Sequence, residues 1–138
     1  MITYITEEVK MPKFSKREIS AWIKQVASSS GFKVGDVSYI FCSDEKILEL
    51  NKQYLQHDYY TDIITFDYTE DKKIGGDIFI SLETVATNAE KYKVLYEQEL
   101  FRVLIHGILH LCGQQDKSTT DRAEMSNKEN GALALLNR

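Results

Sequence analysis

The longest apolar region of the chain reads Leu100-Phe101-Arg102-Val103-Leu104-Ile105-His106-Gly107-Ile108-Leu109-His110-Leu111-Cys112-Gly113. It predicts a helix over about 96–112 that ends at Gly113, because glycine readily adopts the left-handed conformation that closes a helix. Apolar side chains occupy nearly the whole circumference of this helix. Such a helix is stable only where other elements cover it. We therefore expect it at the centre of the molecule.

Four further helices are predicted around this central one. Ser15 and Glu18 form a capping box that begins the first, and Gly31 is placed to end it. The other three are a short helix capped by Ser43 or Asp44, a helix over about 83–93, and a helix from about Thr120 toward Leu136.

Four β-rich segments, at 2–9, 37–42, 61–68 and 74–82, alternate with these helices. The polar loop 69–73 and the following Gly75-Gly76 predict a hairpin between the last two. The order β-α-β-α-β-β-α-α-α indicates an α/β chain of the α+β type, in which helices pack on a mixed, largely four-stranded sheet. A length of 138 residues predicts a single domain over 1–138.

Composition and charge exclude several classes of protein. The chain is 43% hydrophobic with one proline, which excludes a disordered or collagen-like protein. Its net charge of −4 excludes a general polyanion binder. Residues 1–33 nevertheless carry six basic and three acidic side chains. A solvated helix face is the favoured interpretation of that basic cluster, and a local RNA-binding patch is the alternative.

Two cysteines and the apolar pattern indicate the compartment. Cys42 and Cys112 each lie in an apolar run, which favours reduced, buried thiols. The N-terminus does not read as a signal peptide, and the longest apolar run is too short to span a bilayer. We expect a cytoplasmic protein that does not contact membranes.

His106 and His110 form the pattern that carries chemistry. Four residues apart on a helix, they share one face and can converge on one metal ion. Gly113 lets the chain fold back, so the carboxylate of Asp116 can reach the same point. Three protein ligands leave one position open, which is typical of a catalytic zinc site.

The alternative is that the two histidines only pack in the core. Burying two unpartnered imidazoles costs several kcal/mol, which favours a metal. Cys112 points away from His106 on the helix, and His57 lacks local support as a ligand. Gly107 stands where zinc proteases place their glutamate base, which argues against peptide hydrolysis. Gly107 instead permits close approach of a backbone or a substrate.

Three blocks of the sequence resemble the YbeY family of bacterial endoribonucleases, which act in ribosomal RNA maturation. Residues 106–116, His-Gly-Ile-Leu-His-Leu-Cys-Gly-Gln-Gln-Asp, resemble the family signature His-Gly-x-Leu-His-Leu-x-Gly-x-Asp-His and follow it as far as Gly113. Residues 61–66 are similar to Thr-Asp-Val-Leu-Ser-Phe, and residues 76–81 to Gly-Asp-Ile-x-Ile-Ser. The matches span about residues 50–125 in the family's order.

The resemblance implies one zinc ion per chain, held at the signature residues. His106 and His110 match the signature directly, whereas Asp116 stands at the position of its third histidine. A carboxylate oxygen is an acceptable zinc ligand at about 2.0–2.2 Å. Its negative charge makes the metal a weaker Lewis acid than three neutral imidazoles would.

A second departure from the family concerns the arginine that the resemblance implies as the partner of the RNA phosphate. The family commonly has arginine after the tyrosine of a Tyr-Arg-Gly-Lys-Asp stretch, and Leu55 stands there in this chain. Lys52, His57 and Arg102 are candidate replacements, although a solvated surface position is the first interpretation of each. No general base is identified: Asp62 and Asp77 are interpreted as caps of turns and strand ends.

Three functions compete at this stage. The leading hypothesis is a zinc-dependent endoribonuclease on single-stranded RNA, with ribosomal RNA and a ribosome or ribosomal protein as partners and no role for DNA. A non-catalytic ribosome-assembly factor with a structural zinc is the main alternative. Two histidines and a carboxylate also describe non-haem iron oxygenases, which the helical spacing disfavours.

Overall fold

A mixed sheet of four strands forms the centre of the computed structural model, which describes residues 1–55 and 63–136. The strands are β1 (Ile2–Thr6), β2 (Lys33–Cys42), β3 (Ile63–Asp67) and β4 (Lys73–Ser81), in the order β1-β2-β4-β3. Strands β1, β2 and β4 run parallel, whereas β3 is antiparallel to β4. The predicted α/β architecture of the α+β type, with a mixed four-stranded sheet, is confirmed.

Helices surround this sheet where the sequence pattern predicts them. They are α1 (Lys16–Ser29), α2 (Asp44–Leu50), α3 (Leu82–Tyr92), α4 (Tyr96–Leu111) and α5 (Thr119–Leu136). The Ser15 hydroxyl accepts from the Glu18 N–H at 3.2 Å, which confirms the first cap. The cap of α2 is Ser43, which accepts from the Lys46 N–H at 3.2 Å. A π-helical turn, Asn51–Leu55, continues α2.

The main core lies between the sheet and helices α1 and α4. Alternating side chains of β2 and β4 face it, and nearly all of α4 is buried there, as predicted for the central helix. Each fully buried large apolar side chain contributes about 1.5–3 kcal/mol. A smaller cluster of Cys42, Ile47, Leu50 and Ile64 covers the opposite face of the sheet beneath α2. The sheet is therefore apolar on both faces, and α4 lies against its inner one.

The hairpin of β3 and β4 confirms the prediction but uses its glycines differently. The turn is made by Asp71 (φ 51°) and Lys72 (φ 64°), whose positive φ angles are those of a type I′ loop. Gly76 lies inside β4, where a Cβ would stand 2.3 Å from the Phe66 carbonyl oxygen. Gly76 therefore permits close pairing of the two strands and does not shape the turn.

Two strand boundaries differ from the prediction. β1 ends at Thr6 and not at residue 9, because Glu8 has a left-handed backbone (φ 58°) that turns the chain away from β2. β2 begins four residues earlier than predicted. An irregularity between Val34 and Val37 lets Lys33 and Val34 also pair with β4.

Two long-range hydrogen bonds fix the helices that carry the site. The buried Tyr39 hydroxyl donates to the Leu104 carbonyl at 2.8 Å and ties β2 to α4. The Trp22 indole N–H donates to the Ala132 carbonyl at 2.7 Å and ties α1 to α5. Burial raises the pKa of Tyr39 well above 10, so this hydroxyl remains a donor at neutral pH. Among the described helices, none has the length and apolarity needed to cross a membrane.

Candidate metal centre

The last turns of α4 place His106 and His110 side by side at the edge of the core. Their ring centroids are 4.6 Å apart and their planes are inclined by 81°. The two side chains are 21% and 27% exposed, so solvent reaches both of them. The predicted shared face is confirmed, and the pair is open to an ion from outside.

A reversal of the chain after α4 brings Asp116 to the same point. Gly113 (φ 97°) donates its N–H to the His110 carbonyl at 2.9 Å, and the Gln114 N–H donates to the Leu109 carbonyl at 3.0 Å. These two bonds are those of a Schellman motif, which requires a left-handed residue. The carboxylate oxygen Oδ2 of Asp116 then lies 3.3 Å from His106 Nε2 and 3.2 Å from His110 Nε2.

The distances within this group fit a small metal ion. One ligand atom from each of the three side chains lies within 4.8 Å of the others. Ligand atoms held about 2.0–2.1 Å from a tetrahedral ion are roughly 3.3 Å apart, which is the spacing of both histidine nitrogens from Asp116. Three such ligands would leave a fourth coordination position open.

The hydrogen bonds of the two imidazoles also fit a metal. His110 Nδ1 faces the Gln114 carbonyl at 3.0 Å, and His106 Nδ1 faces a carboxylate oxygen of Glu129 at 2.5 Å. Both Nδ1 atoms must therefore donate protons. Each Nε2 is then the ring nitrogen directed at the Asp116 oxygen. Two imidazole nitrogens and a carboxylate oxygen that face one point form a donor set that suits a divalent ion.

Glu129 is the residue of the site that the sequence analysis missed. It lies on α5, only 6% exposed, and its second oxygen accepts from Arg102 Nη1 at 2.8 Å. The sequence does contain a signal for this residue: Glu129 lies four residues after Met125 and four before Leu133, so all three share one face of α5. It is thus a carboxylate within the apolar stripe of a helix, and buried charges need partners.

Two other candidate ligands, Cys112 and His57, and two further residues that the sequence singled out, Leu55 and Asp62, differ in what the structure describes of them. Cys112 caps the C-terminus of α4 and does not belong to the group of ligand atoms among the described residues. Burial raises the pKa of its thiol to about 11, which disfavours a thiolate ligand at neutral pH. His57, Asp62 and the side chain of Leu55 lie outside the described residues.

The candidate phosphate partners differ in their surroundings. Lys52 is exposed on the π-helical turn. Arg102 is bound on both sides, since it donates to Glu129 at 2.8 Å and to Asn130 Oδ1 at 2.6 Å. Asp77 lies in the middle of β4, so its interpretation as a strand-end cap is wrong. Its carboxylate accepts from the Tyr68 hydroxyl at 3.5 Å.

Gly107 lets α4 approach the sheet. A Cβ there would lie 3.0 Å from Ile78 Cδ1 and 3.1 Å from Ile63 Cδ1. The close neighbours are thus side chains of β3 and β4, so Gly107 makes room for side chains of the sheet and not for the predicted backbone. This contact fixes the rotation of α4, which turns the two histidines toward α5.

A cavity of about 630 Å³ opens between α3, α4 and α5, and it borders the centre at His106 and Asp116. Apolar side chains such as Phe101 and Met125 form part of its wall. Arg122 also lines it, donating to the Lys117 carbonyl at 2.8 Å and to Thr119 Oγ1 at 3.3 Å. Within residues 1–55 and 63–136, Arg122 forms no ion pair with a carboxylate.

Comparisons with known proteins agree on one family. The family model described as Endoribonuclease YbeY matches residues 2–137. Endoribonuclease YbeY of Parabacteroides distasonis is 62% identical over 135 residues, which cover 98% of this chain and 95% of that protein. The corresponding protein of Bacteroides thetaiotaomicron is 60% identical over 134 residues, covering 97% of this chain and 98% of its own.

A solved structure shows the same fold. The solution structure of TM1509 from Thermotoga maritima has a TM-score of 0.68 and 29% sequence identity. The match covers 99% of this chain and 89% of that one. With the family match over nearly the whole length, it follows that the chain belongs to the YbeY family of endoribonucleases.

Proposed function

We propose that this protein is a zinc-dependent endoribonuclease that cleaves single-stranded RNA in the cytoplasm, during maturation and quality control of small-subunit ribosomal RNA on the ribosome. The observation that carries the proposal is the convergence of His106, His110 and Asp116 on one point with an open side. Relatives of 60–62% identity that are named endoribonucleases support the reaction class.

The three side chains would hold one zinc ion per chain. Bound there, zinc supplies a Lewis acid that offsets negative charge on a phosphate or on an attacking water. The protein contributes the arrangement of the ligands. The Gly113 turn holds Asp116 in place, and the Gln114 carbonyl holds the proton of His110 on Nδ1.

Arg122 is the proposed partner of the RNA phosphate. It lines the cavity beside the centre, and its described bonds go to a carbonyl and a hydroxyl, which a phosphate oxygen can replace. Arg102 is less suited, because Glu129 already neutralises its charge. The cavity next to Arg122 offers apolar surface for an unstacked base, as single-stranded RNA presents.

The proposal is tested by metal content and RNA cleavage measured on the same preparations. Wild type, His110→Ala, Asp116→Ala and the control Asp121→Ala are purified without added metal or a His-tag. We expect about one zinc per chain in wild type and the control, none in His110→Ala and less in Asp116→Ala. Cleavage of single-stranded RNA should follow zinc content and stop with a chelator. A wild type that takes up no metal on titration, or a fully active His110→Ala, contradicts the proposal.

A non-catalytic ribosome-assembly factor is the second candidate, favoured by the basic cluster of residues 1–33. All six of its cationic side chains are exposed. Charge reversal at Lys13, Lys16 and Arg17 should then weaken ribosome binding and flatten its salt dependence. Binding that persists in folded His110→Ala, with no cleavage by wild type, would favour this candidate.

A further inference from the structure

The buried carboxylate of Glu129 connects α5 to the metal centre. Its side chain is 8% exposed, with Oε2 at 2.5 Å from His106 Nδ1 and Oε1 at 2.8 Å from Arg102 Nη1. Both oxygens are thus partnered by groups of α4. A carboxylate in this position is costly to bury without such partners.

We propose that Glu129 is a positioning residue of the metal centre, which acts through His106. By accepting the proton of Nδ1, it fixes the ring tautomer that leaves the Nε2 lone pair directed at the point shared with His110 and Asp116. This inference rests on the proposed function, because it assigns a role within the same centre. Arg102 holds Glu129 in turn and offsets its charge.

The two histidines are held by unlike partners, which makes the role of Glu129 specific. His110 donates to a neutral carbonyl at 3.0 Å, whereas His106 donates to a charged carboxylate at 2.5 Å. A hydrogen bond to a carboxylate is shorter and stronger than one to a neutral acceptor, and it makes the imidazole a more basic ligand. His106 is therefore the stronger nitrogen donor of the pair.

A purely structural role for Glu129 makes a different prediction. If Glu129 only joined α5 to α4, its replacement would lower stability and leave the metal affinity of the folded protein unchanged. Glu129→Gln separates the two roles. Glutamine has nearly the same shape and can still accept one hydrogen bond, but it lacks the charge.

The matched control is Asn130→Ala. Asn130 Oδ1 accepts from Arg102 Nη2 at 2.6 Å, and Asn130 is exposed. Its replacement removes a neighbouring bond of the same arginine while leaving the contact between Glu129 and His106. It therefore measures the effect of loosening Arg102 alone.

The experiment measures zinc affinity by competition with a chromophoric chelator in wild type, Glu129→Gln, Glu129→Ala and Asn130→Ala. We expect a 10–100-fold loss in both Glu129 variants and affinity close to wild type in Asn130→Ala. Circular dichroism establishes which variants are folded. Nitrogen NMR of the metal-free proteins should show His106 protonated on Nδ1 in wild type and a mixture of tautomers in Glu129→Ala.

Folded Glu129 variants with wild-type zinc affinity and an unchanged His106 tautomer would overturn the assignment. The NMR measurement needs no metal, so it tests Glu129 even if wild type binds no zinc, which is the result that contradicts the proposed function. If Glu129→Ala fails to fold, the isosteric Glu129→Gln supplies the affinity, and the wild-type spectrum supplies the tautomer.

Discussion

At the scale of single residues, Asp116 has the largest consequence for the chemistry of the centre. Its carboxylate stands where the sequence signature has a histidine, and its Oδ2 lies 3.2–3.3 Å from both imidazole nitrogens. A carboxylate brings a negative charge to the ion that a neutral imidazole does not. If the three side chains bind an ion, Asp116 keeps the number of ligands that the signature implies and changes their total charge.

Replacing Asp116 by histidine tests that difference. Because an imidazole preserves the ligand number, Asp116→His should retain about one zinc per chain. Loss of a residue that only hydrogen-bonds a metal ligand typically lowers metal affinity by roughly 10–100-fold. Asp116→Ala removes a candidate ligand itself, so its zinc affinity should fall by at least that factor. Asp116→His should also cleave RNA several times faster at saturating zinc, because the ion becomes a stronger Lewis acid. Zinc titration measures the affinity, and single-turnover cleavage measures the rate. An Asp116→His protein that binds no zinc would contradict the expectation.

Arg122 gives a second test at this scale. Removing a charged partner of a phosphate costs about 1.5–3 kcal/mol, so Arg122→Ala should lower kcat/KM for RNA cleavage by roughly 10–100-fold. Zinc content should stay at the wild-type level, because Arg122 does not contact the ligands in any described hydrogen bond. Lys91→Ala, an exposed cation on α3, serves as the control. Equal kcat/KM in all three proteins would remove Arg122 from the proposed site.

At the scale of secondary structure, local signals in the sequence predicted most of the elements. Ser15 and Ser43 cap helices because a hydroxyl satisfies a free N–H of the first turn, and that chemistry is local. Gly113 closes α4 for an equally local reason. The π-helical turn Asn51–Leu55 was not predicted, and neither was the pairing of Lys33 with β4, which depends on a strand distant in the sequence.

The site shows the same division between local and distant information. His106, His110 and Asp116 lie within eleven residues, so helix periodicity and one turn bring them together. Glu129 reaches His106 only because α5 packs against α4. Spacing along the chain carries no information about that packing.

Alanine substitutions at two glycines should change the stability of the fold in opposite directions. Gly76→Ala would force a Cβ against the Phe66 carbonyl oxygen, 2.3 Å away, and should lower the free energy of unfolding by about 1–3 kcal/mol or more. Gly131 lies on the exposed face of α5, where a Cβ would meet no heavy atom within 4 Å. Gly131→Ala should therefore raise the free energy of unfolding by about 0.5–1 kcal/mol. Urea denaturation of both variants beside wild type gives the values, and equal stabilities would contradict the packing described for the hairpin.

At the scale of the whole molecule, the candidate metal centre lies where α4, the turn after it and α5 meet. Its three candidate ligands come from α4 and the following turn, and the carboxylate that contacts His106 comes from α5. Helix α5 is tied in turn to α1 through the bond between Trp22 and the Ala132 carbonyl. Filling the centre should therefore stabilise the whole fold and not only one loop.

Metal removal measures this coupling. A ligand that binds only the folded state at 1,000 times its Kd adds about 4 kcal/mol, which for a chain of this size raises Tm by roughly 10–20 °C. Calorimetry of wild type with zinc and with a chelator should show that shift, whereas His110→Ala should melt at the same temperature in both. An equal shift in His110→Ala would place the stabilising ion elsewhere.

Glu129 follows His106, His110 and Asp116 in the sequence, and this order has a consequence for how the group forms during synthesis. Chains emerge from the N-terminus onward and fold as they emerge, so the sheet strands and α1 precede α4, and α5 follows it. Glu129 is thus added to the chain after both histidines and Asp116. A nascent chain that stops before residue 129 carries the three ligands without their support. The complete group, with Glu129 in contact with His106, therefore forms only after α5 has been synthesised and has packed against α4.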